Sequence, residues 1–308
     1  ESSAEPSTVQ GLADAFVESE LAPGIAIGVL DETGRIRTYC AGTLEVGGGQ
    51  QVTEDTIFEI GSISKVFTAT LAHFLEQQGS LSLSDPVGVH LPDEVDVKVV
   101  DGNEIMLWHL ATHTSGLPIV PAMLKSGESY YPFSLDQLYE FLVNWKPDRA
   151  PGEAYLYSNL GYGLLGLVLE LNQKASFEAL VQRHILRQLN MKSTGCMFEG
   201  ALADRLATPH RDNQPVSART WTRPTAGAGG IKSSVKDLML FARANLANSK
   251  SHLHRSLRAC QVPRVKAKSR DRVGLAWHVS GESSERIIHH GGATNGFRSF
   301  MAFMPDRG

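Results

Sequence analysis

Strand-forming signals sit at the two ends of this chain and helical signals fill its middle, and that division limits the architectures open to it. Ile25-Ala26-Ile27-Gly28-Val29-Leu30 is an unbroken apolar run. Pro23-Gly24 precedes it and the turn-forming Asp31-Glu32-Thr33-Gly34 follows, so it reads as a buried strand whose hairpin partner covers 35–42. Strand signals return only at 273–279, 285–290 and 297–304. Before the first strand, Val9, Leu12, Ala13, Phe16 and Val17 recur at helical spacing. Between the two strand regions, 64–78, 104–112, 134–145, 159–172 and 176–189 have helical periodicity, separated by loops rich in Pro, Gly and Ser. Segment 233–246 reads as a further helix, capped by Ser233 or Ser234 with Asp237 in its first turn. The expected fold is α+β. A sheet domain is made from both termini, 1–61 plus 234–308, with a helical domain 62–233 inserted.

Several classes of function are disfavoured. At 308 residues, 42% hydrophobic and 20% charged, the chain has the composition of an ordinary globular protein with a large core. A net charge of -4 gives no pull towards nucleic acid or an anionic membrane. No apolar run is long enough to span a bilayer. Gly47-Gly48-Gly49 lacks the lysine and following helix of a phosphate-binding loop and reads as a turn. Cys40, Cys196 and Cys260 allow at most one disulfide, and none is expected to be catalytic. His109 and His113 are four apart, but no glutamate follows His109 and helix breakers follow at once, so both read as structural. No metal and no cofactor is expected. The polar start, residues 1–7, fits either the mature end left by signal removal or a simple boundary.

Three short stretches carry residues suited to chemistry. In Phe58-Glu59-Ile60-Gly61-Ser62-Ile63-Ser64-Lys65, a glycine and small polar residues precede a long apolar-periodic segment, which is how a helix begins. Ser62 then lies in the first turn with Lys65 one turn on, on the same face. A serine hydroxyl needs a nearby base, and lysine serves as one only where burial or neighbouring charge removes its proton. The helix start also leaves N–H groups free to hold an oxyanion. Tyr155-Leu156-Tyr157-Ser158-Asn159 follows a proline-glycine loop and precedes a helix. A loop tyrosine can relay a proton and an asparagine can hold a carbonyl, although Ser158 or Asn159 also suits a plain helix cap. His289-His290-Gly291-Gly292-Ala293 ends a strand, where glycines permit close approach of another backbone.

In this order, Ser62-x-x-Lys65, Tyr157-x-Asn159 and His290-Gly291-Gly292 resemble the serine β-lactamase and penicillin-binding-protein superfamily. They are most similar to its class C branch, with its D-alanyl-D-alanine carboxypeptidases and family VIII-type esterases. Connecting segments match as well: Leu110-Ala111-Thr112-His113-Thr114-Ser115-Gly116-Leu117-Pro118, Leu189-Asn190-Met191-Lys192-Ser193-Thr194 and Ala228-Gly229-Gly230-Ile231-Lys232-Ser233-Ser234. The resemblance implies an antiparallel sheet flanked by helices and a serine hydrolase acting through an acyl-enzyme on a β-lactam or related amide or ester. The alternatives are a carboxylesterase, a D-alanyl-D-alanine carboxypeptidase, or a non-catalytic peptidoglycan binder. It implies Ser62 as nucleophile, Lys65 and Tyr157 as the proton-handling pair, and the N–H groups of Ser62 and Ala293 as oxyanion hole. Asn159, His290, Gly291 and Gly292 are the implied substrate-binding residues, the partner is a small-molecule substrate, and the location is periplasmic or secreted.

Three departures bear on substrate choice. His290 stands where class C β-lactamases carry the lysine of Lys-Thr-Gly, Gly291 removes the threonine hydroxyl, and Val120 stands where a glutamine is usual. The family pattern also adds a strand and a terminal helix after the strand ending near Met304, and these are expected to be missing here.

Overall fold

The computed structural model describes residues 8–98, 102–121, 132–267, 271–282 and 285–307. The polar start at 1–7 lies outside them. The first strand and its partner form the expected hairpin, Gly24–Leu30 with Ile36–Glu45, with Leu30 opposite Ile36 and Gly24 opposite Gly42. The return strand runs three residues past 42, to Glu45. Gly47 stays in the turn as expected, but Gly48 and Gly49 open a third strand, Gly48–Gln51, completing a three-stranded antiparallel sheet.

The C-terminal part forms a five-stranded antiparallel sheet in the order Arg298–Phe303, Ile287–Ala293, His278–Ser280, Arg272–Val273, Val265–Lys266. The apolar run at 273–279 is not one strand. The ladder breaks between Val273 and His278, where Leu275 N–H bonds the Cys260 carbonyl and Ala276 takes φ 67°. Leu275, Ala276 and Trp277 are fully buried, so their apolar character serves the core and not a strand pattern. Among the described residues, Gly24–Leu30 and Arg298–Phe303 each pair on one side only, and no ladder joins the two sheets. Helix Val235–Leu246 packs against both, capped by Ser234, whose Oγ accepts from the Asp237 N–H. Two short strands, Ile57–Glu59 and Lys232–Ser234, pair antiparallel where the chain enters and leaves the helical block.

Helix Ser64–Gln77 is the axis of that block. Eleven of its 14 residues are buried, which makes it an interior helix and not an amphipathic surface one. Helices Asn159–Gln173 and His252–Gln261 pack on it. Phe67 stacks on Phe241 of helix Val235–Leu246 with ring centroids 4.2 Å apart; truncating such a core ring costs about 3–5 kcal/mol. Segment 104–112 is helical only over Leu107–Ala111. Segment 176–189 starts at Phe177–Val181, widens to a π-helix over Gln182–Leu186 and closes at Arg187–Leu189. Among the described residues no helix is long and apolar enough to cross a membrane.

Candidate active site

Helix Ser64–Gln77 does not start at Ser62 as an α-helix. A 3-10 turn, Gly61–Ile63, leads into it, and its tighter winding leaves Ser62 half-buried just ahead of the α-helical ladder. Lys65 Nζ reaches back and donates to Ser62 Oγ at 2.9 Å. Nζ also donates to the Ala228 carbonyl at 2.6 Å. Two neighbours on the helix tie it to the same stretch: Thr68 Oγ1 donates to Gly227 O (2.7 Å), and Ser64 Oγ accepts from Ile231 N–H (3.0 Å). The lysine is therefore clamped by its own helix and by a segment more than 160 residues away.

Lys65 has no exposure at all. Burial, and then the nearby Arg219 guanidinium, hold its pKa well below the usual 10.5. Its neutral form thus becomes accessible, and a neutral amine 2.9 Å from a hydroxyl can take that hydroxyl's proton. Lys65 Nζ also lies 5.1 Å from the Tyr157 ring centroid and 5.8 Å from that of Tyr162.

Tyr157 is placed by the residues after it. Ser158 is the N-cap of helix Asn159–Gln173, its Oγ accepting from Gly161 N–H at 2.8 Å and donating to Pro118 O at 2.7 Å. Such a cap contributes about 1 kcal/mol. The capping reading and the active-site reading therefore hold together, because the cap fixes the tyrosine before it. Asn159 opens that helix and is half-buried.

Strand Ile287–Ala293 closes the site from the sheet side. Gly61 has φ 50°, and a Cβ there would stand 2.7 Å from the Ala293 amide nitrogen. A Cβ on Gly292 would overlap the Ile60 carbonyl oxygen and the Ser299 hydroxyl. Both glycines are needed for the turn bearing Ser62 to lie against the strand backbone, which brings the peptide units of Ser62 and Ala293 together. Ser299 Oγ donates to Ile60 O at 2.8 Å across the same contact. Gly291 is different: a Cβ there meets nothing closer than 3.8 Å.

His290 is 2% exposed. Its pKa is lowered to about 3, first by burial and then by Lys65, so it is uncharged at neutral pH. Val120 is buried in the helical core. The cation and the hydroxyl absent at positions 290 and 291 are accompanied by guanidiniums nearby. Arg219 donates to Asn295 Oδ1 (2.9 Å), Arg211 to Asn295 O (3.2 Å) and Arg298 to Thr294 O (3.2 Å), all on the loop after the strand. Arg219 also lies over Trp221, 5.6 Å from its ring centroid.

His109 and His113 serve separate backbone amides: His109 Nδ1 accepts from Met106 N–H and His113 Nδ1 from Ser158 N–H. The three cysteines are unbridged, and burial raises the Cys196 and Cys260 thiols to about 12, away from nucleophilic use. Sequence reasoning singled out Ser62, Lys65, Tyr157 and Ala293, which the fold gathers, but missed Arg219 and the Ala228 carbonyl. A backbone carbonyl leaves no mark in a sequence, and an arginine in a loop reads as surface.

A family model described as Beta-lactamase matches residues 9–308. A β-lactamase of Yersinia enterocolitica is 27% identical, covering 94% of this chain and 81% of that protein. The D-alanyl-D-alanine-carboxypeptidase/endopeptidase AmpH of Escherichia coli K12 is 28% identical, covering 97% and 80%. Among solved structures, a β-lactamase/D-alanine carboxypeptidase from Pseudomonas syringae superposes with a TM-score of 0.84 at 26% identity, covering 95% of this chain and 88% of that one.

Proposed function

The chain belongs to the beta-lactamase family, and from that premise we propose that it forms an acyl-enzyme on Ser62 and hydrolyses a β-lactam or a related amide or ester. The observation that carries this reading is the 2.9 Å bond between Lys65 Nζ and Ser62 Oγ, made by a lysine with no exposure. Neutral Lys65 accepts the Ser62 proton as Oγ attacks the carbonyl carbon. The N–H groups of Ser62 and Ala293 hold the oxyanion, worth about 3–4 kcal/mol per donor. Tyr157, beside Lys65, passes the proton to the leaving group and takes one from the water that releases the acyl group. Asn159 and the strand from His290 to Gly292 bind the substrate. Residues 62–233 form the helical domain and 1–61 plus 234–308 the sheet domain; the paired strands Ile57–Glu59 and Lys232–Ser234 support that boundary. A periplasmic or secreted location accompanies the reading.

A second reading has its own support. An uncharged His290 beside Gly291 offers little to a substrate carboxylate, which favours a carboxylesterase over a β-lactamase. Turnover of a chromogenic cephalosporin, a p-nitrophenyl ester and a D-alanyl-D-alanine peptide separates the candidates. Ser62→Ala is expected to abolish the turnover of whichever is active; turnover that survives it contradicts the acyl-enzyme reading. A protein that turns over none of the three while binding penicillin is the non-catalytic binder instead.

A further inference from the structure

His113 is fully buried beside the proposed proton relay and has no part in the steps above. Its backbone takes φ 60°, a left-handed conformation that costs a non-glycine residue about 1–3 kcal/mol. The surrounding bonds hold it there. Its carbonyl accepts from Leu156 N–H at 2.7 Å, and Leu160 N–H bonds Ile119 O at 3.0 Å, so the loop 113–119 and the stretch 156–160 are stitched together on both sides of Tyr157.

The ring is constrained as well. Nδ1 accepts from Ser158 N–H at 3.0 Å, which leaves the ring proton on Nε2. The ring then stacks on Tyr157, with centroids 4.3 Å apart and planes 29° from parallel. It leans on Tyr162 at 4.9 Å and meets the edge of Tyr155 at 5.7 Å. Lys65 addresses the same Tyr157 and Tyr162 rings from its own side. The charged or titratable groups facing His113 are these three tyrosines, Lys65, His278 and His290. Burial, then Lys65, keeps its pKa well below 6.5. Anchoring Ser158 N–H requires only an acceptor, which an asparagine amide would supply; nothing in that task calls for an aromatic ring against the phenol.

We infer that His113 is a positioning residue for Tyr157: its ring, fixed as the Nε2–H tautomer by the Ser158 N–H, is the surface that sets where the phenol stands relative to Lys65 and Ser62. The inference rests on the reading of Tyr157 as proton relay. The test is His113→Asn, measured beside Tyr157→Phe and the double variant. Asparagine tolerates the left-handed backbone and keeps the acceptor while removing the ring. The expected result for H113N is kcat lower by about 10- to 100-fold with KM little changed, the size expected of a misplaced catalytic group. Water entering the vacated space weakens the burial that lowers the Lys65 pKa, so the acid limb of the kcat profile moves to higher pH. Compared on the pH plateau of kcat, where the Lys65 shift no longer counts, the double variant is expected to be no slower than Tyr157→Phe, because His113 acts there through the phenol.

The outcomes separate cleanly. Full turnover in Tyr157→Phe removes the relay reading, and this inference with it. An inactive Tyr157→Phe beside an H113N protein with unchanged kcat and pH profile overturns the inference alone. So does a double variant in which the two losses multiply. One measurement needs no variant: nitrogen NMR of the histidine rings in the unaltered protein. His113 is expected to be neutral at neutral pH with its proton on Nε2, and a ring that carries its proton on Nδ1 overturns the inference.

Discussion

The site has a dry half and a wet half. On the helical side Lys65 has no exposure, its Nζ bonds two fixed oxygens, and 11 of the 14 residues of its helix are buried. On the sheet side Gly291 and Ala293 are exposed at their strand, and guanidiniums gather on the loop that follows. The dry half sets a pKa by excluding water, so it depends on packing throughout the core. The wet half is a surface where a side chain can change without repacking anything beneath it, as at Gly291, where a Cβ meets nothing closer than 3.8 Å. Gly291, exposed on the strand, can depart from the family pattern at no cost to the core, whereas His290, its neighbour, is 2% exposed and belongs with the dry half.

The largest expected effect breaks the dry half. Lys65→Met keeps much of the bulk and removes the base, and turnover is expected to fall by about 10³-fold or more. In the unaltered protein, kcat rises with pH as Lys65 loses its proton, with a midpoint well below 10.5 because burial disfavours the charged form. A midpoint near 10 would mean that the lysine is hydrated and the two halves are not different in kind.

Next come the two adjacent glycines, which sharpen the boundary between the halves. Gly292→Ala forces a methyl group into the Ile60 carbonyl; it is expected to destabilise by about 1–3 kcal/mol and, by parting the Ser62 and Ala293 amides, to lower kcat by up to about 10²-fold. Gly291→Ala has open space and is expected to leave the thermal midpoint unchanged. Equal losses at both positions in thermal unfolding and kcat would remove the distinction.

The smallest effect is read where the two halves meet, at the buried His290 and its exposed neighbour Gly291. With the His290 pKa lowered to about 3, the ratio of kcat/KM for an anionic over a neutral substrate should stay flat through the pH range where a free histidine titrates. Gly291→Lys places its cation at an exposed position with open space and is expected to raise that ratio by roughly tenfold, about one favourable ion pair. A ratio that already falls near pH 6.5 in the unaltered protein would show a charged His290.

Much of this was legible in the sequence, for reasons that differ by residue. Ser62, Lys65 and Tyr157 could be read because each begins or precedes a helix whose periodicity is strong, and the order of the three motifs is specific. The longer helices, Ser64–Gln77, Leu135–Asn144 and Asn159–Gln173, fall close to their expected bounds because apolar spacing over 10 or more residues has one reading, whereas 104–112 is helical only over Leu107–Ala111. The run 273–279 was misread because Leu275 and Trp277 are apolar for the core, and a short apolar run does not distinguish a strand from a buried crossing. His113 read as structural because its spacing from His109 invited only a metal comparison, whereas its partners, Tyr157 and Ser158, lie 44 and 45 residues on. The 3-10 turn at Gly61–Ile63 was also invisible, since the approach of Ala293 that shapes it comes from the far end of the chain.

The central claim is that Ser62, primed by a buried Lys65 whose pKa burial lowers, takes the acyl group. Intact-mass and peptide mass spectrometry after brief exposure to a penicillin and to a fluorophosphonate tests it most directly. The account predicts one adduct per chain, mapped to Ser62, with its rate of formation cut sharply in Lys65→Met and the adduct lost in Ser62→Ala. An adduct on another residue, or no adduct with either reagent, would contradict it.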